Sequence, residues 1–208
     1  MPSVTRRRSP DPARRASVEA QILAATERLL RDGASFTDLG VQRIAAEAGV
    51  ARSTFYTHFS DKSQLLMRLA NTMQTTAFDL VVRWQPTGQP DDPQRLIDVF
   101  REVIKLYRQH AEVLKAVNEV SSYDATVRQF WSSRLDRFLN RTAEVLVAEQ
   151  EAGRTRADID AATAARLIVL GGDRFLAHHV ATDDGSGDEA AARELALTWW
   201  HGVHRRPA

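Results

Sequence analysis

The chain has 208 residues and no cysteine, with 43% hydrophobic and 26% charged residues and a formal net charge of +1. That is enough apolar material for a real core, and it excludes disulfides, thiolate metal sites and cysteine nucleophiles. No long apolar run and no signal-peptide pattern occurs, so a soluble, cytoplasmic protein without membrane contact is expected.

Charge is spread unevenly. Residues 1–62 hold ten basic and seven acidic residues, the remainder 18 and 20. A basic first third on a near-neutral body points to a polyanion held at one end. Residues 1–16, MPSVTRRRSPDPARRA, carry five arginines and three prolines and have little to bury. They are expected to form a disordered basic arm able to add phosphate contacts. From Ser17, a good N-cap, Val18, Ile22, Ala25 and Leu29 recur at helical spacing. The pattern predicts a first helix over about 18–32, closed by Gly33.

Phe36 and Leu39 anchor the loop that follows, and a second helix begins near Val41 with Val41, Ile44, Ala45 and Ala48 on one face. Gly49 permits a sharp turn, and Val50 plugs in behind it. The chain is helical again from Arg52, with Phe55 and Phe59 four apart and inward. Arg52, Ser53, Thr54, Tyr56, Thr57 and His58 are left towards solvent. This outward set has no carboxylate, which a helix lying on phosphates must avoid; an ordinary surface helix mixes acids and bases.

The segment FTDLGVQRIAAEAGVARSTFYTHFSDKSQLL resembles the DNA-binding region of the TetR family of bacterial transcriptional regulators. The resemblance rests on the pattern IA–x–x–AGV–x–x–x–TFY–x–HF–x–x–K–x–x–L and covers about 50 residues. More loosely, DVFREVIKLYRQHAEVLKAV and FWSSRLDRFLNRTAEVLVAEQEAG are similar to the EthR-type branch. The resemblance implies that Arg52 reads a base, where its fork suits guanine O6 and N7. It implies base or methyl contacts for Ser53 and Tyr56, and backbone contacts for Thr54, Thr57 and His58. Lys62 matches a phosphate-binding lysine, and Gln42 a position that reaches a base edge. Gly40 departs from the family's usual Ser or Thr cap, and Ser53 from its usual Gly or Pro.

Asp61 and Gln64 form a capping box for a fourth helix whose apolar stripe, from Leu65 to Val81, runs to about Trp84. QPTGQPDDP (85–93) reads as a linker. Five helical patterns follow near 94–108, 111–122, 125–152, 160–180 and 188–204, without strand signals. Phe100, Ile104 and Tyr107 share one helix face and Trp131, Leu135 and Phe138 another, so two aromatic faces can enclose an elongated apolar ligand. A packed core without a cavity is the competing reading of those residues; the resemblance favours the pocket, with Arg174 and Phe175 added to its lining. Gly171-Gly172 suggests a close helix approach. Asp173-Arg174 beside it reads as a structural pair, as pocket contacts or as part of an interface. ATDDGSGDEA (181–190) reads as a polar, mobile loop.

No catalytic constellation can be assembled. His201 and His204 share a helix face without a nearby carboxylate and read as solvated C-terminal histidines, and neither a metal nor a cofactor is expected. The expected fold is all-α: a basic arm (1–16), a three-helix helix-turn-helix DNA-binding domain (17–62), and a helical effector-binding and dimerisation domain (63–208) reached through a long helix. The expected function is a ligand-responsive regulator, a repressor that binds a palindromic operator in double-stranded DNA as a homodimer and is released by a small hydrophobic effector. The resemblance implies that the dimer pairs the helices at about 160–180 and 188–204. The alternative is an architectural DNA binder without an effector.

Overall fold

The computed structural model describes residues 12–205. Among them it is all helical: α1 (Pro12–Arg31), α2 (Val41–Glu47), α3 (Arg52–His58), α4 (Lys62–Arg83), α5 (Asp92–Gln109), α6 (Ala111–Ser121), α7 (Ala125–Glu151), α8 (Ala161–Thr182) and α9 (Asp188–Trp199), which runs into a π-helical turn (Trp200–His204). The chain divides into two compact units, Met1–Arg68 and Leu69–Ala208, so the division falls inside α4 rather than after Lys62.

The first unit is built on a cluster of Ile22, Leu29, Leu39, Ile44, Phe55, Phe59 and Leu65. Each helix contributes the apolar positions its spacing brings to one face. Gly33 (φ 89°) ends α1 with paired backbone bonds, Gly33 N–H to Leu30 O and Ala34 N–H to Leu29 O, both 3.0 Å. Gly49 (φ 68°) turns the chain between α2 and α3, where a side chain would be strained. Asp61 Oδ1 accepts from Gln64 N–H at 2.8 Å, while Gln64 Oε1 accepts from Ser60 N–H at 2.6 Å. The capping box is present, reaching back one residue further than expected.

The start of α1 corrects the expected boundary. The helix begins at Pro12, so Ser17 is an exposed helical residue and not a cap. Proline suits a first helical turn because its missing N–H would be unsatisfied there anyway. The rest of the expected arm, residues 1–11, lies outside the described residues.

The second unit centres on α5, which buries Leu96, Ile97, Phe100, Val103, Ile104 and Tyr107. Ala191, Ala192 and Ala196 of α9 are small enough to let the two helices lie close, and Met73 and Ala77 of α4, with Trp84 just after it, join the same cluster. A second cluster holds Leu146, Ile168, Val169 and Val203. Asp124 and Asp160 cap α7 and α8 with side-chain bonds to backbone N–H groups.

Three expected features of this unit change. The 85–93 run is not a free linker: the fully buried Asp92 carboxylate accepts from Thr87 N–H, Thr87 Oγ1–H, Gly88 N–H and Arg95, folding the loop onto the start of α5. The loop between α8 and α9 is likewise pinned. Arg108 donates to Asp188 Oδ2 at 2.9 Å and to Asp183 O at 2.8 Å, and the guanidinium bond holds the Asp188 carboxyl below its usual range against the opposing effect of burial. His204 is not solvated but 2% exposed, stacked on Trp200 and edge-on to Trp84. Burial pushes its imidazole down to about 4.

Candidate functional site

α3 presents two faces. Phe55 is fully buried and Phe59 nearly so, 5.5 Å apart between ring centroids, and they fix the helix against the first unit's core. Opposite them Arg52, Ser53, Tyr56 and Thr57 are exposed, and Thr54 and His58 half-buried. Arg52 lies 5.7 Å from the Tyr56 ring centroid, which steadies both side chains. Thr57 Oγ1–H is turned back on Ser53 O at 3.1 Å. His58 Nδ1 is buried and has no hydrogen-bond partner. Gln42 is exposed in the first turn of α2.

Lys62 is placed differently from expectation. Its Nζ donates to Phe36 O (2.9 Å), Thr37 O (2.8 Å) and Leu39 O (2.9 Å). An ammonium has three protons, and all three are directed at the turn before α2. The lysine therefore fastens that turn to α4 in this structure, a structural task that sequence reasoning had not assigned to it.

In the second unit a cavity opens between α4, α5, α7, α8 and α9. Its lining includes Ala77, Phe100, Tyr107, Leu135, Phe138, Asp173 and Trp199. Phe100 and Trp199 meet edge to face at 4.8 Å. The free volume is about 50 Å³, room for a few waters. Of the expected lining, Phe100, Tyr107, Leu135 and Phe138 take their places. Ile104 is buried in the α5 core and does not reach the cavity. Trp131 stays outside the lining, close enough to Asp173 to act on its carboxyl. Arg174 and Phe175 point the other way, to solvent, with Phe175 stacked on His179.

Asp173 and Arg174 are not a pair. One helical step of 100° separates them, so Asp173 turns inward to accept from Tyr107 Oη–H at 3.2 Å while Arg174 is exposed. Burial raises the Asp173 carboxyl and the Tyr107 phenol above their ordinary ranges. Neither glycine of the preceding pair is demanded by packing within the chain. A Cβ on Gly172 would make ordinary contact with Trp199 at 3.5 Å, and one on Gly171 would meet nothing.

Leu167, Leu170 and Phe175 are exposed at 74%, 47% and 40%. With Gly171 they form an apolar stripe on the solvent side of α8, unusual for a helix whose other face is already buried. His179, Asp183 and Asp188 bring three possible metal ligands together, but Arg108 already ion-pairs with both carboxylates.

Residues 22–69 match the model of the bacterial regulatory proteins of the tetR family, and residues 96–203, just over half of the chain, match the C-terminal domain of the transcriptional regulator EthR. The chain belongs to the TetR family, with an EthR-type C-terminal domain. Among its relatives is the HTH-type transcriptional regulator EthR of Mycolicibacterium smegmatis, 28% identical over 191 residues, covering 89% of this chain and 86% of the relative. A transcriptional regulator from Saccharomonospora viridis in complex with choline has a TM-score of 0.70 at 22% identity, covering 92% of this chain and all of that one. SmeT, the repressor of a Stenotrophomonas maltophilia multidrug efflux pump, in its triclosan complex has a TM-score of 0.74 at 15% identity, covering 91% and 93%.

The chain is thus a DNA-binding, helix-turn-helix transcriptional regulator of the TetR family and not an enzyme. α2 and α3 are its helix-turn-helix. Two basic residues beside this TetR-family motif escaped sequence reasoning. Arg43 is exposed next to Gln42 on α2, and Arg15, in the stretch expected to be disordered, donates to Thr57 O at 3.2 Å. The signal for Arg15 was Pro12 as a helix start; nothing local marks Arg43. Among the described residues no helix is long and apolar enough to cross a membrane.

Proposed function

We propose that the chain is a cytoplasmic, homodimeric repressor that binds a palindromic operator and is released by a small apolar effector. The observation that carries this reading is the outward face of α3, with Arg52, Ser53 and Tyr56 exposed and no carboxylate among them. Arg52 is the base-reading residue, and Ser53, Tyr56 and Gln42 extend the readout. Thr54, Thr57 and His58 sit towards the backbone. A recognition helix reads only a few base pairs, so two copies on successive major-groove faces are needed for a specific site.

The second copy docks on the apolar stripe of α8. Leu167, Leu170 and Phe175 are its anchors, Gly171 at its centre leaves room for a partner helix, and α9 completes a four-helix interface. Leu170→Asp is expected to shift the solution mass, measured by sedimentation equilibrium, from two chains to one and to lower operator affinity at least tenfold. A variant that stays dimeric would remove α8 from the interface.

The effector enters the α4–α9 cavity. About 50 Å³ is well short of the ~300 Å³ that ligand sites commonly offer. Binding therefore selects a wider state with Phe138 and Trp199 moved apart, and differential affinity for that state drives the switch. Ala77 and Val81 place α4 in the cavity wall, and the same helix begins at Lys62 in the DNA-binding unit. Movement of α4 is the proposed route from ligand to DNA.

Arg52→Ala is expected to cost about 1–3 kcal/mol, some 5- to 150-fold, on the operator found by selection from random DNA. Affinity for random duplex should fall much less. Equal losses on both DNAs would remove Arg52 from base reading.

A further inference from the structure

The cavity lining has a definite electrical sign. Among the described residues it contains aromatic rings from Phe100, Tyr107, Phe138 and Trp199, aliphatic side chains, Thr142, and one carboxylate, Asp173; it contains no lysine, arginine or histidine. No basic group forms an ion pair with Asp173. Its hydrogen-bond donor is neutral, the Tyr107 hydroxyl, with the uncharged Trp131 indole near by. A carboxylate withdrawn from water without a bonded cation is costly; the exposed Arg174, one position on, eases that cost only through space and less than burial raises it. The same aromatic rings present electron-rich faces that attract a cation.

We propose that this cavity selects cationic amphiphiles, molecules with a protonated amine or quaternary ammonium head and a short apolar tail, with Asp173 as the counter-charge and the surrounding rings as the wall of the head site. The inference rests on the effector reading above and narrows it to a ligand class. The head displaces any water beside Asp173 and ion-pairs with the carboxylate, while Tyr107 keeps the carboxylate oriented. The tail lies along Leu135, Phe138 and Val169. An anionic amphiphile of the same length meets like charge and is rejected.

The test uses three probes of one tail length, n-octylamine, 1-octanol and octanoate, with full-length protein and binding followed by tryptophan fluorescence. At pH 7.5 octylammonium is expected to bind at least tenfold more tightly than octanol, and octanoate more weakly than either. In Asp173→Asn, which keeps an acceptor for Tyr107, the octylammonium-to-octanol ratio should fall to about one. Should that variant fail to fold, the wild-type ratio is followed with pH instead. It should decline on the acid side as Asp173 takes up a proton, at a pH above the ordinary carboxylate range because burial raises this group. The groups facing Asp173 do not confuse the titration: Tyr107 on α5 is raised well above its ordinary range, Arg174 on α8 is turned to solvent, and Trp131 on α7 and Gln74 on α4 have no titrating group.

Equal binding of octanol and octylammonium, or a preference that survives Asp173→Asn or acid, overturns the proposal while leaving the effector reading intact. Failure of all three probes to bind and to release operator DNA overturns both.

Discussion

Phe55→Ala is expected to unfold the DNA-binding unit and abolish operator binding while the second unit keeps its fold. Phe55 is fully buried beneath the recognition helix, in contact with Tyr56 and Phe59 rings and within the cluster formed by Ile22, Leu39 and Ile44. Truncating such a side chain costs about 3–5 kcal/mol, comparable to the whole stability of a unit this small, about 0.05–0.15 kcal/mol per residue. α3 has only seven residues and no side-chain cap, so it has little helical stability of its own. The second unit relies on separate clusters.

The measurement is built into the sequence, because all four tryptophans (Trp84, Trp131, Trp199 and Trp200) belong to the second unit. Tryptophan fluorescence should keep a cooperative transition near the wild-type midpoint while helical circular dichroism loses the share of the first unit. A single transition displaced equally in both signals would mean that the two units unfold together.

Acid should destabilise the second unit through His204. Its folded value of about 4 lies below the ordinary 6.5. The unfolded chain therefore takes up the proton first, and the stabilisation is complete above about pH 6.5. It is lost as pH falls from 6.5 towards 4, at about 1.4 kcal/mol per pH unit and about 3 kcal/mol in all. The cause is burial between Trp200 and Trp84, where the imidazole has no acceptor at Nδ1 to welcome a proton. Other carboxylates titrate in the same window, so the readout is the difference between wild type and His204→Phe in urea midpoints from pH 7.5 to 4.5. The variant should lack this part of the acid slope. Parallel curves would exclude His204 as the group responsible.

What the sequence made legible was local. Ile44, Gly49, Phe55 and Phe59 lie within sixteen residues, and period and turn chemistry suffice to set one helix across another. The inward and outward sides of α8 also follow from its period: Val169, Gly172, Asp173 and Leu176 face in, Leu167, Leu170, Gly171 and Arg174 face out. Reading Asp173 and Arg174 as adjacent in space, because adjacent in sequence, hid the one charged group of the cavity. Lys62, Asp92 and Arg108 were illegible for a different reason. Each charged side chain is spent on backbone or carboxylate groups 4 to 80 residues away, and no periodic pattern encodes such a meeting. The same holds for His204, whose burial depends on Trp84, 120 positions earlier. Charge and a place near the end of the chain both argued for solvent, and tertiary packing overruled them.

The absence of a loop at the junction of the units has a practical side. With Asp92 gripping the proline-rich run, the most conspicuous break in the sequence offers a protease no hinge between domains. The junction itself is mid-helix, between Arg68 and Leu69, flanked by the buried residues Leu65, Leu66, Leu69 and Ala70. Any cut that parts the two units leaves each with a frayed helical stump whose apolar side was made to be covered. The boundary between the units therefore lies within one continuous helix, and a graft of either unit onto another regulator has to carry α4 whole.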